Sequence, residues 1–554
     1  MSMSSWPLTM NPVIQVIMAS ATLVIVKILV DLLSTNFRSP MKNLSGPPSP
    51  SWLRGHMDQL FHPQGWDFHL KTVVSFGTAV RLRGFLGEDV LYLTDPAGLR
   101  TVLIREHGDI YEEPPMIIER NNLLWGPGLL SSTGMAHKKQ RYVINTAFSI
   151  QRMRLAMPIF WEVTHRVEET LLKSLRNGST ELDMLVWMSR VSSELIGQAG
   201  IGKSFDTLAE VSAPNEYMFA AKQLIPLSFP LQDFMRLIPY IVKFGSPNFR
   251  GFLAKIAPHP NIRKLREIIY FLHNTNSSIY RERIQSLEQE SKGDGADGPR
   301  RDIISVLIQN NKGVDEANRL SDDEIISQMG TLIFAGQHTT SVALSRILQV
   351  LSLDLKRQEK LRLELINARA EGQDLSYDDL MALPYLDAVC KETLRLYAPA
   401  PQLHRVPSKD TSVPLSRPVL GKDGSTIDRI HVRAGTMVVI GAAAVNRDPI
   451  IWGPDAEKWI PERWLEPLPE TLNSAYLPGV YSNMMTFMGG GRSCIGFKFA
   501  ETEIKAVLYV LLSRMKFEPS NTPIEWNMFN FATPTVKGDS TKPSMPLKVT
   551  LLSG

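Results

Sequence analysis

At 554 residues, 44% hydrophobic and 21% charged, the chain has the composition of a globular protein with a large core. A net charge of +4 implies no general affinity for nucleic acid. Two cysteines, Cys390 and Cys494, exclude a disulfide framework and suit a reducing compartment. Length alone suggests several domains, but the composition stays even from about residue 50, with no internal repeat and no long linker. One large domain over 56–554 behind an N-terminal segment fits better.

Residues 1–26 carry no charge, and Val13 to Leu33 is almost wholly apolar, broken by Lys27 and Asp31 four apart on one helical face. That is the length of a spanning helix. Arg38 and Lys42 follow it, so the positive-inside rule puts the large domain in the cytosol. The expectation is a signal anchor over 1–36. A cleaved signal peptide is the competing reading, because Ala19-Ser20-Ala21 offers small residues; there is no basic region ahead of it, and the apolar run continues past it. Gly46-Pro47-Pro48-Ser49-Pro50 marks 37–55 as a stiff hinge.

Further along, His137 and Arg141 are four apart in a helical stretch ending near Phe148, so both could reach one anion; a solvated basic face is the plainer reading. Leu224 to Phe244 is apolar and broken by Pro226, Pro230 and Pro239, which forbids one long helix; a buried helix–turn–helix would account for it. Ser286 to Asp302 reads as an exposed loop. Ser321-Asp322-Asp323-Glu324 predicts a capping box and a helix to about Leu351. That helix carries Ala335-Gly336-Gln337-His338-Thr339-Thr340, where an interior glycine costs about 1 kcal/mol and needs a local reason.

Pro384 is placed to start a helix bearing Glu392 and Arg395, three apart on one face, as in many surface salt bridges. Cys390 on the same helix reads as a small buried hydrophobe. Arg405 follows Pro399-Ala400-Pro401-Gln402-Leu403-His404, and Arg463 lies in Trp459-Ile460-Pro461-Glu462-Arg463-Trp464. Last comes Phe487-Met488-Gly489-Gly490-Gly491-Arg492-Ser493-Cys494-Ile495-Gly496. A nucleotide-binding glycine motif fails there, because it would need glycine at Cys494 or at Ser493. A thiolate on a glycine-rich loop can pass close under a macrocycle, with nearby amides tuning its electron donation.

These segments together resemble the cytochrome P-450 family, the haem-thiolate monooxygenases, over essentially the whole chain. The cysteine loop fits F-x-x-G-x-R-x-C-x-G through Phe487, Gly490, Arg492, Cys494 and Gly496. The resemblance implies a mainly α fold with a small β region, a helical prism behind a membrane anchor. It implies haem b with Cys494 as axial ligand, Phe487 shielding the sulfur, and propionates met by Arg492, His137, Arg141 and Arg405. It gives Ala335 and Gly336 the role of leaving room for dioxygen, and Thr339 that of hydrogen-bonding it. The family's usual acid before that threonine is here His338, which leaves proton delivery open. Glu392, Arg395 and Arg463 would form a buried network that locks the cysteine loop.

The implied reaction puts one oxygen atom from dioxygen into an apolar small molecule, a terpenoid or other secondary metabolite. Electrons would come from NADPH through a separate reductase docking near Lys138, Lys139 and Lys498. The overall likeness is to microsomal fungal members, which places the chain in the endoplasmic reticulum membrane, with the 224–244 region roofing the active site. The pocket is expected from Pro115–Leu130, Ile333–Thr340, Pro399–Leu403 and Thr533–Val536. Alternatives are a haem-thiolate isomerase or dehydratase, a peroxide-dependent enzyme, a non-catalytic haem-binding protein, or a membrane-tethered interaction module.

Overall fold

The computed structural model describes residues 39–209, 215–291, 302–369, 373–528, 531–539 and 542–552, with Thr22 alone ahead of them. The expected anchor over 1–36 thus lies outside the described residues, Thr22 aside. No helix among the described residues is long and apolar enough to cross a membrane.

The longer helices are α1 (Trp66–Phe76), α2 (Pro115–Trp125), α3 (Gly134–Asn145), α4 (Ile150–Arg176), α5 (Met184–Leu195), α6 (Glu216–Ser228) and α7 (Pro247–Ile256). They continue with α8 (Pro260–Ser291), α9 (Ile303–Lys312), α10 (Asp322–Leu353), α11 (Leu355–Ala368), α12 (Pro384–Leu396) and α13 (Phe497–Arg514). Strands β1 (Ala79–Arg83), β2 (Asp89–Leu93) and β3 (Tyr111–Glu112) precede β4 (Glu181–Asp183) and β5 (Leu403–Pro407). Then come β6 (Thr411–Leu420), β7 (Thr426–Val432), β8 (Met437–Ile440), β9 (Met515–Pro519), β10 (Ile524–Met528), β11 (Ala532–Val536) and β12 (Pro546–Leu551). The main sheet runs β1-β2-β8-β5-β3, a smaller one runs β4-β12-β9, and β6–β7 and β10–β11 form hairpins. This is the mainly helical fold with a small β region that the sequence predicts.

Helix α10 is the central member, packed against α5, α8, α12, α13 and β9. Its start is fixed by the predicted capping box. The Ser321 amide donates to the Glu324 carboxylate at 2.8 Å, and the Glu324 amide donates to the Ser321 hydroxyl at 3.3 Å. Helix α12 begins at Pro384 as predicted, where the missing N–H is one the helix could not have used.

Three segments differ from the sequence reading. Met41 and Leu44, inside the expected hinge, are buried, and the Ser45 carbonyl accepts from the Arg81 amide at 3.0 Å, so this stretch lies along β1. A Cβ at Gly46 would come within 2.0 Å of the Arg81 carbonyl oxygen, so only glycine permits that approach. The loop expected from Ser286 starts later. Helix α8 continues to Ser291, and buried Asp302 caps α9 by accepting from the Ser305 amide at 2.9 Å; 292–301 lie outside the described residues.

The third is the Leu224–Phe244 stretch. Its prolines do break it, into the end of α6, a 3-10 stretch Phe229–Leu237 and a short helix Ile238–Ile241. It is not a buried helix–turn–helix. Phe234, Tyr240 and Phe244 are 61%, 74% and 66% exposed, and no residue of 229–241 or α7 is buried. Among the described residues, two ion pairs join this segment to the rest of the protein, Arg54–Asp233 at 2.9 Å and Arg236–Glu88 at 2.6 Å.

Candidate active site

The cysteine loop is held by its own backbone. The Cys494 amide donates to the Phe487 carbonyl at 2.9 Å, and the Ser493 amide to the Gly490 carbonyl at 3.0 Å. Gly490 has φ 74°, and a Cβ there would approach the Leu103 carbonyl oxygen to 1.8 Å. The Phe487 ring meets Tyr481 edge-on at 5.3 Å. Cys494 is exposed, yet burial pushes its thiol pKa up, opposed by a hydrogen bond from the Gly496 backbone and by the Arg141 charge. The surface it offers therefore faces an enclosed space and not bulk water.

Arg141 donates from Nη1 to the Ser493 carbonyl at 2.7 Å and from Nη2 to the Ser493 hydroxyl at 2.8 Å. His137 is buried, with its ring 6.4 Å from that of His107. Burial, reinforced by Arg492, Arg141, His107 and Arg405, lowers its pKa to about 3, so it is neutral. The pair is not a solvated basic face; one residue braces the cysteine loop and the other stands among cations.

Arg492 donates from Nη2 to Glu112 at 2.6 Å and to the Ser132 carbonyl at 2.5 Å, and its buried Nε has no partner. Arg405 lies on β5, 2% exposed, donating to the His404 carbonyl at 2.7 Å and 3.8 Å from Glu113; its Nε is also unpartnered. The guanidinium groups of Arg405 and Arg492 are thus each set against a carboxylate, Glu113 and Glu112, with Arg141 close enough to Arg492 to feel its charge.

On α10, Ala335 is exposed in the middle of a helix whose other faces are buried. The Thr339 hydroxyl donates to the Ala335 carbonyl at 2.7 Å, so Thr339 shares that face. Gly336 does not. A Cβ there would meet Ile196 Cγ1 at 2.9 Å, so its small size admits the 196–201 segment against α10. His338 contacts Thr533 (Nε2 to Oγ1, 3.5 Å) and lies edge-on to Phe531 at 5.5 Å. Burial, aided by the Lys222 charge, lowers its pKa to about 4. His338 is therefore neutral near pH 7 and does not switch charge there as a free histidine would.

The expected pocket segments meet through aromatic contacts. Trp125 of α2 stacks on Phe334 at 4.9 Å, Phe531 meets Phe334 at 6.1 Å, and the Ala532 amide donates to the Pro399 carbonyl at 2.8 Å.

The Glu392 network is present, with Glu392 and Arg395 buried and Arg463 partly so. Arg395 meets Glu392 through Nε at 2.9 Å and Nη2 at 2.7 Å, and Arg463 Nε lies 3.4 Å from the same carboxylate. The two tryptophans that stand where the family has phenylalanine are used as donors. Trp464 Nε1 bonds Glu392 at 2.9 Å and Trp459 Nε1 bonds the Thr393 hydroxyl at 2.9 Å. The route to the cysteine loop runs through Asn446, which sequence reasoning missed. Arg395 donates to its carbonyl at 2.7 Å, and its side chain accepts from the Met485 amide at 2.7 Å and donates to Thr486 at 2.9 Å. Cys390 is buried and its thiol pKa is raised by that burial, which leaves Cys494 as the available thiolate.

These residues fit a haem b. An enclosed but accessible thiol supplies the iron ligand, and the unpartnered Nε atoms of Arg405 and Arg492 suit two propionates. His107, Glu112 and Glu113, which sequence reasoning also missed, complete the polar rim; a Cβ on Gly491 would sit 2.4 Å from the His107 ring.

A family model described as Cytochrome P450 matches residues 45–540. Cytochrome P450 monooxygenase 91 of Postia placenta is 43% identical over 522 residues, covering 94% of this chain and 95% of its own. The ganoderic acid synthetase of Ganoderma lucidum is 40% identical, covering 93% and 95%. A cytochrome P450 monooxygenase of Hericium erinaceus is 35% identical, covering 94% and 95%.

Proposed function

The chain belongs to the cytochrome P450 family and is an oxidoreductase of the monooxygenase class; from that premise we propose that it hydroxylates an apolar terpenoid or similar secondary metabolite. Dioxygen and NADPH are the co-substrates, with electrons passed through a separate reductase. Substrate C–H, dioxygen, NADPH and a proton give substrate C–OH, water and NADP+. The observation that carries the reading is an accessible thiol in an enclosed site, beside guanidinium groups with unpartnered nitrogens.

Haem, when bound, supplies the reductive activation of dioxygen and the oxidation of a C–H bond, with electron donation from the thiolate. The protein's own tasks are separate. Cys494 would hold the iron, and Arg405 and Arg492 would orient the macrocycle through its carboxylates. Trp125, Phe334 and Phe531 form an aromatic wall that positions an apolar substrate and excludes water. The Thr339 hydroxyl is the proton donor on the open face of α10, and neutral His338 with Thr533 passes protons by hydrogen bonding instead of as a charged acid.

Co-expression with a fungal reductase and feeding of terpenoid, polyketide and fatty-acid pools tests this. Products heavier by one oxygen, labelled from heavy dioxygen and absent for Cys494→Ala, are expected. Unlabelled or unchanged masses would refute oxygen insertion. His338 in the acid's place favours a second reading, a peroxide-dependent enzyme, which would turn over without NADPH.

The uncharged run of 1–26 followed by Arg38 and Lys42 supports an anchor in the endoplasmic reticulum membrane with the large domain cytosolic. Removal of residues 1–36 is expected to release much of the protein from membranes with its haem spectrum intact. Complete retention on membranes would shift the attachment to the exposed apolar roof.

A further inference from the structure

Two buried glutamines, Gln140 of α3 and Gln328 of α10, tie the loop between α2 and α3 to the start of α10. Gln140 Nε2 donates to the Pro127 carbonyl and to Glu324 Oε1, each at 2.9 Å. Gln140 Oε1 accepts from Gln328 Nε2 at 3.0 Å, and Gln328 Oε1 accepts from the Leu129 amide at 3.1 Å. This relay has one possible polarity. The Leu129 N–H can only donate. Burial favours a protonated Glu324, but hydrogen bonds from Ser321 and Gln140 outweigh it and hold the pKa below its usual value, so the carboxylate can only accept. Neither amide can turn over without leaving buried groups unpaired.

The same loop lies directly on the α10 surface. Gly126 has φ 86°, and a Cβ there would come within 2.4 Å of Ser327 Oγ; a Cβ on Gly128 would come within 2.9 Å of Thr331 Oγ1. Ser131 donates to the Gly126 carbonyl at 2.6 Å and Ser132 to the Gly128 carbonyl at 2.8 Å, so the loop is also braced from within. Trp125, the last residue of α2, adjoins Gly126 and stacks on Phe334 at 4.9 Å. Where the loop is held therefore decides where the Trp125 ring sits. Gln140 also adjoins Arg141, so neighbouring residues of α3 hold the aromatic wall on one side and the cysteine loop on the other.

We propose that Gln140 and Gln328 are positioning residues that fix Trp125, and through it the space an apolar substrate can fill against Phe334. The inference rests on the monooxygenase reading of that pocket. A loop held by packing alone would tolerate loss of either amide. A loop held by the relay would not, because the Leu129 N–H and Gln140 Oε1 would be left buried and unpaired and the loop must shift to satisfy them.

The full-length holoprotein is titrated with 1-methylimidazole and 1-dodecylimidazole, which ligate haem iron alike and differ in their apolar tails, and the haem absorption shift gives both affinities. Gln328→Met keeps the side-chain volume and removes the polar atoms; it is expected to change the ratio of the two affinities about three- to tenfold, with haem content unchanged. Trp125→Ala should change the ratio too, and Gln328→Met added to it should change it no further. A ratio unaffected by Gln328→Met overturns the proposal, as do effects of the two substitutions that multiply. Where Gln328→Met yields no holoprotein, Gln140→Met breaks the same relay from α3. Hydrogen exchange of the wild-type holoprotein needs no variant: peptides across 126–132 are expected to be protected, and exchange there at the rate of a free chain overturns the lock. Failure of the monooxygenase reading shows separately, as a wild type without the thiolate-haem carbon monoxide band.

Discussion

Arg141 grips Ser493 with both arms of its guanidinium, one on the carbonyl and one on the hydroxyl, in the residue next to the thiolate Cys494. The contact joins α3 to the cysteine loop and braces it. Arg141→Ala should loosen haem by about 1–3 kcal/mol, and Arg141→Lys, which cannot span both acceptors, by less. Haem transfer to apomyoglobin measures this directly. Equal transfer rates in all three proteins would show that the grip is incidental.

Glu392→Ala leaves buried Arg395 without its counter-ion, while Arg463 keeps Asp455 at 3.0 Å. Loss of a buried partner costs about 3–5 kcal/mol, so little folded holoprotein is expected. Trp464→Phe removes one donor to the same carboxylate and should cost only about 1 kcal/mol. Thermal unfolding ranks the two; a Glu392→Ala protein as stable as the wild type would remove the network from the account of loop stability.

Glu503 of α13 is fully buried, and burial raises its pKa from 4.5 to about 8 against the opposing influence of the Ser192 hydroxyl. Below pH 4.5 both folded and unfolded chains carry the proton, and the group costs nothing. Between 4.5 and 8 only the unfolded chain ionises, so stability falls as pH rises. Glu503→Gln escapes that loss and should gain on the order of 1–3 kcal/mol at pH 8, and almost nothing at pH 4.5. Urea unfolding at the two pH values decides it, and a gain independent of pH would contradict the assignment.

His338 stays uncharged down to about pH 4, so coupling of NADPH use to product should show no step near pH 6.5 that His338→Asn removes. His338→Ala should raise hydrogen peroxide released per NADPH severalfold, since the contact with Thr533 goes. His338→Asp, which restores an acid beside Thr339, should lower it. Peroxide yield equal in all variants would take His338 out of proton delivery.

Lys138 is exposed and Lys498 partly so, but Lys139 lies 3.8 Å from Glu324 at the start of α10. A charge reversal at Lys139 would therefore disturb the capping box as well as any docking face. Lys138→Glu with Lys498→Glu is the cleaner pair. It should slow reductase-supported turnover, more at low salt, and spare peroxide-supported turnover. If both routes fall together the lysines serve folding, and if neither falls the reductase docks elsewhere.

Where function requires a residue type at fixed spacing, the sequence was readable. The cysteine loop, the capping box of α10, the Pro384 start of α12 and the Glu392–Arg395 pair all have local causes. Partners supplied from distant segments were not. Asn446 and Ser493 carry no signal of the contacts they make, and Gly336 looks like space for a ligand until Ile196 is seen against it. The charge state of His338 was equally hidden, because it depends on burial by Phe531 and Thr533 from almost two hundred residues away. Prolines showed where the Leu224–Phe244 stretch breaks, but not that it faces outward.

The roof over 229–241 has no buried side chain, and the ion pairs that tie it down are part exposed to water. Such pairs weaken as salt rises, whereas the packed helices beneath do not depend on them. The 229–241 segment can therefore loosen without any cooperative loss of the helices it lies on. Its opening rate should respond to ionic strength, so ligands would arrive and depart faster in concentrated salt even where their equilibrium affinity is unchanged. Arg54 and Arg236 thus act as a latch on the timescale of exchange.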